Sequence, residues 1–125
     1  MDTSALLQEI KRRDPHHVNF QQAAASLLKS VSGYLDDHPE LLETGLLDRL
    51  LEPERVIRFR VPWVDDQGRV RVNRAYRVQM NGALGPYKGG LRFHPSVNLD
   101  VLSFLALEQT IKNALTGLSL GAGKG

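Results

Sequence analysis

Residues 55–80 read RVIRFRVPWVDDQGRVRVNRAYRVQM. Ile57, Phe59, Val61 and Trp63 alternate with Val56, Arg58, Arg60 and Pro62, the two-residue period of a strand with one face covered. Asp65-Asp66-Gln67-Gly68 supplies turn chemistry. Val70, Val72, Tyr76, Val78 and Met80 then alternate with Arg71, Asn73, Ala75, Arg77 and Gln79, so the stretch predicts a half-buried β-hairpin.

After the hairpin, residues 81–95 are rich in Gly and Pro and predict an ordered loop. Asn98 is suited to cap a helix, with Asp100 in its first turn where the helix dipole favours an anion. That helix runs to about Thr116. Apolar residues nearly surround it, so burial on most sides is expected. Gly117 ends it, and residues 118–125 read as a glycine loop. Upstream of the hairpin, Ser4 to Arg13 and Val18 to Leu35 show helical spacing, the second through Phe20, Leu27, Val31, Tyr34 and Leu35. Short leucine-rich helical pieces fill the interval from Leu41 to Leu51. Helices followed by strands and a helix place the chain in the α/β class. No internal repeat or low-complexity stretch is present.

The 125 residues suit one domain, and 42% apolar with 24% charged residues gives a core and an ordinary wet surface. Absence of cysteine excludes a disulfide framework, a thiolate metal site and a cysteine nucleophile. No secretory signal or membrane-spanning run is read, and a soluble cytoplasmic chain is expected. The net charge of +2 hides a split: residues 1–54 hold 5 basic and 10 acidic side chains, residues 55–125 hold 11 and 4. The second half is therefore expected to meet an anion, either a nucleic acid or a small carboxylate or phosphate.

Three lysines stand in unusual settings. Lys88 lies within Gly85-Pro86-Tyr87-Lys88-Gly89-Gly90, Lys112 lies on the apolar helix one turn after Gln109, and Lys124 lies within Gly121-Ala122-Gly123-Lys124-Gly125. Glycines let a backbone approach a ligand closely, and a lysine among them offers a compact positive charge that partial burial can move toward neutrality. Converging, such lysines would hold a dicarboxylate and leave one amine for proton transfer. Plainer readings exist: a solvated turn for Lys88, a Glu108–Lys112 helical ion pair, a surface or capping role for Gln109, and a frayed end for Lys124. His94 reads as a structural or surface histidine, with no second histidine at metal-ligand spacing. The phosphate-loop pattern fails, because Leu118 and Gly125 occupy places that need glycine and Ser or Thr. The dinucleotide fingerprint is weak at Gly121-x-Gly123, which follows no clear strand.

From Gly85 onward the chain resembles the hexameric glutamate dehydrogenases of bacteria and fungi, members of the Glu/Leu/Phe/Val dehydrogenase family. The match runs through Gly85-Pro86-Tyr87-Lys88-Gly89-Gly90-Leu91-Arg92-Phe93-His94-Pro95-Ser96-Val97-Asn98, then Glu108-Gln109 and Lys112-Asn113-Ala114-Leu115-Thr116, then Gly121-Ala122-Gly123-Lys124-Gly125. Glu52-Pro53-Glu54-Arg55 and Val61-Pro62-Trp63-Val64-Asp65-Asp66 look like the same family. The first 45 residues carry the weakest likeness. Two departures stand out: Leu118-Ser119-Leu120 where the family commonly has a proline, a methionine and a further glycine, and Asn81-Gly82 in place of a small pair that is often Ser.

The resemblance implies that Lys88 binds the side-chain carboxylate of L-glutamate, that Gln109 and Lys112 bind its α-carboxylate, and that Lys124 is catalytic. It implies NADP or NAD as the hydride acceptor, 2-oxoglutarate and ammonium as products, and a homohexamer without nucleic-acid or membrane partners. Its fold would be N-terminal helices followed by a mixed sheet with flanking helices, the partial substrate and dimerisation domain of an amino-acid dehydrogenase. Residues 1–54 would be a helical assembly segment and residues 55–125 the start of the substrate domain. No residue here is assigned to the cofactor, whose domain is expected to lie outside these residues, and the isolated chain is expected to be inactive. A reading of another class makes the basic hairpin, with Trp63 and Tyr76, a nucleic-acid platform dependent on Arg58, Arg60 and Arg71.

Overall fold

A computed structural model describes residues 3–125. Helix α1 spans Ser4–Arg13, with Lys11, Arg12 and Arg13 in its last turn, at the negative end of the helix dipole. Helix α2 spans Val18–Asp37 and buries Phe20, Ala24, Leu28 and Leu35, a stripe at intervals of four and seven residues. A 3₁₀ turn over Pro39–Thr44 closes on Gly45, whose φ of 66° lies in the left-handed region, and leads into the short helix α3, Leu46–Leu50. Leu47 and Leu51 turn inward from this segment, so the leucine-rich stretch packs on the chain's own core.

The hairpin forms as expected. Strand β1, Arg55–Val64, pairs antiparallel with β2, Val70–Asn81, from Arg55↔Gln79 to Val64↔Val70. Asp65 locks the turn by accepting from the backbone N–H groups of Gln67 and Arg69 and from the Arg69 and Arg71 guanidinium groups. The Arg69 backbone N–H, together with the other donors, holds its carboxyl below the usual carboxylate range. Helix α4, Leu99–Leu115, begins where Asn98 Oδ1 accepts from the Val101 N–H at 2.9 Å.

Two glycine-rich stretches expected to be loops contain strands. Tyr87–Lys88 forms β3 and Gly121–Lys124 forms β4, giving a four-stranded sheet in the order β1-β2-β4-β3. Strand β4 runs antiparallel to β2 and parallel to β3, so the sheet is mixed and flanked by helices. The glycines of β4 reflect lack of room: a Cβ on Gly121 would lie 2.3 Å from Gly85 O and 2.6 Å from Asn81 O. Close approach of another backbone is a standard reason for glycine within a strand.

Burial corrects two further expectations. Every residue of β1 is exposed, Phe59 by 48%, so the hairpin's outer strand is not half-buried. Helix α4 packs on α2, β4 and β2, and only the end of β2 carrying Val78 and Met80 lies in the core. Helix α4 itself buries Leu102, Ser103, Ala106, Leu107 and Asn113 but leaves Leu115 82% exposed, so it is covered along one side and bare near its end.

Asp100 joins the two halves of the chain. The residue before α2, His17, supplies no side-chain cap. Instead the Asp100 carboxylate, 8% exposed, accepts from Phe20 N at 2.9 Å, Asn19 N at 3.2 Å and Asn19 Nδ2 at 2.8 Å. It therefore serves the first turn of α2 as well as its own helix. Three donors and the positive end of α2 offset the cost of burying a carboxylate.

Candidate functional site

The site residues sit on three adjoining elements. Lys88 ends β3, Lys124 ends β4, and Gln109 and Lys112 lie on α4, whose start is fixed by the Asn98 cap. Strand β3 is held in parallel register with β4 through Tyr87↔Gly121 and Lys88↔Ala122. Beyond the strand, Gly89 permits the closest approach in the region. A Cβ there would lie 1.6 Å from Gly123 O and 3.4 Å from the Gln109 side chain. At Gly90 a Cβ would lie 3.5 Å from Lys124 Nζ. The Gln109 amide arm and the Lys124 ammonium thus both border the Gly89–Gly90 backbone that follows Lys88.

The backbone that follows Lys88 is in this way set beside the side chains of Gln109 and Lys124. Lys88 has an exposed side chain, and Gln109 and Lys124 are half-buried. Lys112 stands apart in contact: its exposed side chain borders an open groove between α2 and α4 with Leu27, Leu107 and Ile111. Among the described residues it forms no ion pair with Glu108, so the helical pair is not what holds it.

Residues not singled out from the sequence hold the site's backbone. Asn113, 4% exposed, donates from Nδ2 to Lys88 O at 3.0 Å and to Gly121 O at 2.7 Å, and accepts at Oδ1 from Gln109 Nε2 at 2.7 Å. Arg77 on β2 donates to Tyr87 O at 3.2 Å. Glu54 accepts from Gly82 N at 2.9 Å and from the Tyr87 hydroxyl through a short bond. The Gly82 N–H, then the Tyr87 hydroxyl, hold the Glu54 carboxyl below the ordinary carboxylate range, and the same bond raises the Tyr87 phenol. Spacing offered one signal: Asn113 is a polar residue four places after Gln109 on a largely apolar helix. Nothing local to Glu54 or Arg77 announced their partners, which stand 33 and 10 residues away.

Elsewhere, a groove of about 720 Å³ lies between the hairpin and residues 91–97, lined in part by Phe59, Val61, Tyr76, Leu91 and Phe93. It includes none of the three lysines. His94 is exposed and its ring bonds Ser96 within a local turn. Among the described residues no group of His, Asp or Glu stands ready to hold a metal ion, and no helix is long and apolar enough to cross a membrane. Alternation along paired strands puts Trp63 and Tyr76 on opposite faces of the sheet, and Arg71 is engaged by Asp65. The hairpin consequently does not present both aromatics as one stacking platform.

Comparison with known proteins bears on the same residues. A family model described as Glu/Leu/Phe/Val dehydrogenase, dimerisation domain, matches residues 53–125. The chain is 54% identical over 121 residues to the NADP-specific glutamate dehydrogenase of Salmonella typhimurium, covering 97% of this chain and 27% of that one. It is 53% identical over 125 residues to the NAD-specific glutamate dehydrogenase of Porphyromonas gingivalis, covering 100% and 28%. The crystal structure of Plasmodium falciparum glutamate dehydrogenase superposes with a TM-score of 0.92 at 50% identity, over 98% of this chain and 26% of that one. The chain spans about a quarter of the length of the curated relatives it matches. The family model takes in more than half of the 125 residues, including all three lysines, and the chain belongs to the Glu/Leu/Phe/Val dehydrogenase family.

Proposed function

We propose that this chain supplies the amino-acid-binding side of a glutamate dehydrogenase, which converts L-glutamate and water to 2-oxoglutarate and ammonium while NADP or NAD takes up a hydride. In this reading Lys88 pairs with the side-chain carboxylate, Gln109 and Lys112 hold the α-carboxylate, and Lys124 is catalytic. The observation that carries it is the meeting of Gln109 and Lys124 at the Gly89–Gly90 backbone directly after Lys88. Two carboxylates at the two ends of one small molecule suit cations on separate elements. Lys124, half-buried, is suited to orient a water and to stabilise charge as that water adds to the oxidised carbon.

The described residues do not fit the dinucleotide. Gly121, Ala122 and Gly123 are a buried strand closed in by Asn81 O, Gly85 O and the Arg77 guanidinium, not a glycine turn opening a helix. The cofactor and the choice between NADP and NAD therefore belong, in this proposal, to residues outside these 125. Residues 1–54 are an assembly segment and residues 55–125 the first part of the substrate domain. The working form is a cytoplasmic homohexamer serving ammonium assimilation.

The test is glutamate-dependent reduction of NADP⁺ or NAD⁺ by the native gene product that carries these residues. Lys124→Ala is expected to lower kcat by about 10²–10⁴-fold. Full activity in that variant, or no glutamate turnover by the unaltered protein, would overturn the reading.

A further inference from the structure

Asn113 has an environment that permits only one orientation of its side chain. Its amide faces two backbone carbonyls, Lys88 O at 3.0 Å and Gly121 O at 2.7 Å. Carbonyls accept and cannot donate, so the NH₂ end of the amide must point at them and both its hydrogens are used. The remaining atom, Oδ1, has only acceptor capacity, and the group 2.7 Å from it must be the Gln109 NH₂. Two main-chain carbonyls thereby fix the rotation of Asn113, and Asn113 fixes the rotation of Gln109. One Gln109 N–H is consumed by this bond. The other N–H and Oε1 remain for a ligand.

We propose that Asn113 is a positioning residue of the amino-acid site: it sets which donor Gln109 presents and ties Lys88 to the strand that carries Lys124. The inference rests on the proposed glutamate site but concerns a residue with no ligand contact of its own. Asn113 is buried, and all three of its side-chain hydrogen-bonding links go to elements that bear site residues. A residue serving the core alone would not need that selection of partners.

The experiment compares Asn113→Asp and Asn113→Ser with the unaltered native gene product. Asp keeps the size but turns a carboxylate oxygen toward two carbonyls. Ser keeps one donor and is the milder variant should Asp fail to fold. The expected result is a rise in glutamate KM of about tenfold or more for Asp, smaller for Ser, with cofactor KM unchanged. Hydrogen exchange should quicken at the amides of residues 87–90 and 121–123 but not in the N-terminal helices. Glutamate and cofactor KM rising together, or lowered Tm with both KM values unchanged, would overturn the proposal. Absence of glutamate turnover in the unaltered protein would sink the functional reading alone. In that case the exchange data judge the backbone tie by itself. Unchanged exchange at residues 87–90 in the Ser variant would overturn the link from Asn113 to Lys88 and β4, and local quickening would uphold that link but not a role in glutamate binding.

Discussion

The sheet has two ends built on opposite terms. At the β3–β4 end, glycine removes side chains so that backbones touch, and the polar groups are answered by Asn113, Arg77 and Glu54. At the β1 end, large apolar side chains alternate along a regularly paired strand, and all ten of its residues stay exposed. Apolar pattern and burial are therefore separable. Alternation makes a strand without ensuring that anything covers it, whereas the glycine end closes on contacts within the chain itself.

The sharpest way to break this contrast is Gly89→Ala. The new methyl would collide with Gly123 O, a main-chain atom that cannot swing aside. A loss of about 3 kcal/mol, at the upper end of overpacking costs, is expected in chemical denaturation, and a neutral result would show that β3 and β4 are loosely joined. Asp100→Ala should come next, at about 2–3 kcal/mol, because it leaves the buried Phe20 N–H without its acceptor.

A smaller effect should separate the Glu54–Tyr87 link by pH. Glu54 titrates below its ordinary value of 4.5 in the folded chain, so its contribution is full above that value and fades as pH falls through the lowered one. Tyr87 titrates above its ordinary 10.0, so its contribution is full below that value and fades as pH rises through the raised one. Glu54→Gln should flatten the acid limb of a stability profile and Tyr87→Phe the alkaline limb. Unaltered limbs in both variants would mean that the bond does not form in solution. The least effect is expected of Phe59→Ala in the isolated chain, within about 0.5 kcal/mol, since Phe59 is half open to solvent. A larger loss at concentrations where the protein is monomeric would show that the hairpin is covered by its own chain.

Helices and the hairpin were legible because their signals are local. Asn98 caps α4 through Val101, three residues on, and the turn at Asp65 is closed by Gln67, Arg69 and Arg71. Strands β3 and β4 were not legible, since glycine signals both flexibility and tight contact and only a partner backbone distinguishes them. The settings of Lys88, Lys112 and Lys124 singled those lysines out, by glycine flanks or an apolar helix, but their roles and that of Gln109 came from resemblance. Asn113 and Glu54 escaped because their importance lies in what they touch across the fold. Asp100 was placed in the first turn of its own helix, but its service to α2 depends on a contact 80 residues away.

That contact has a bearing on synthesis. Helix α2 leaves the ribosome with the N–H groups of its first turn open, and the anion that answers them is translated 80 residues after Phe20. At roughly 5–20 residues per second the interval is about 4–16 s. For that time the amino-terminal helices have neither their cap nor the apolar face of α4 to rest on. The two halves of the chain can therefore close on each other only once the start of α4 has been made.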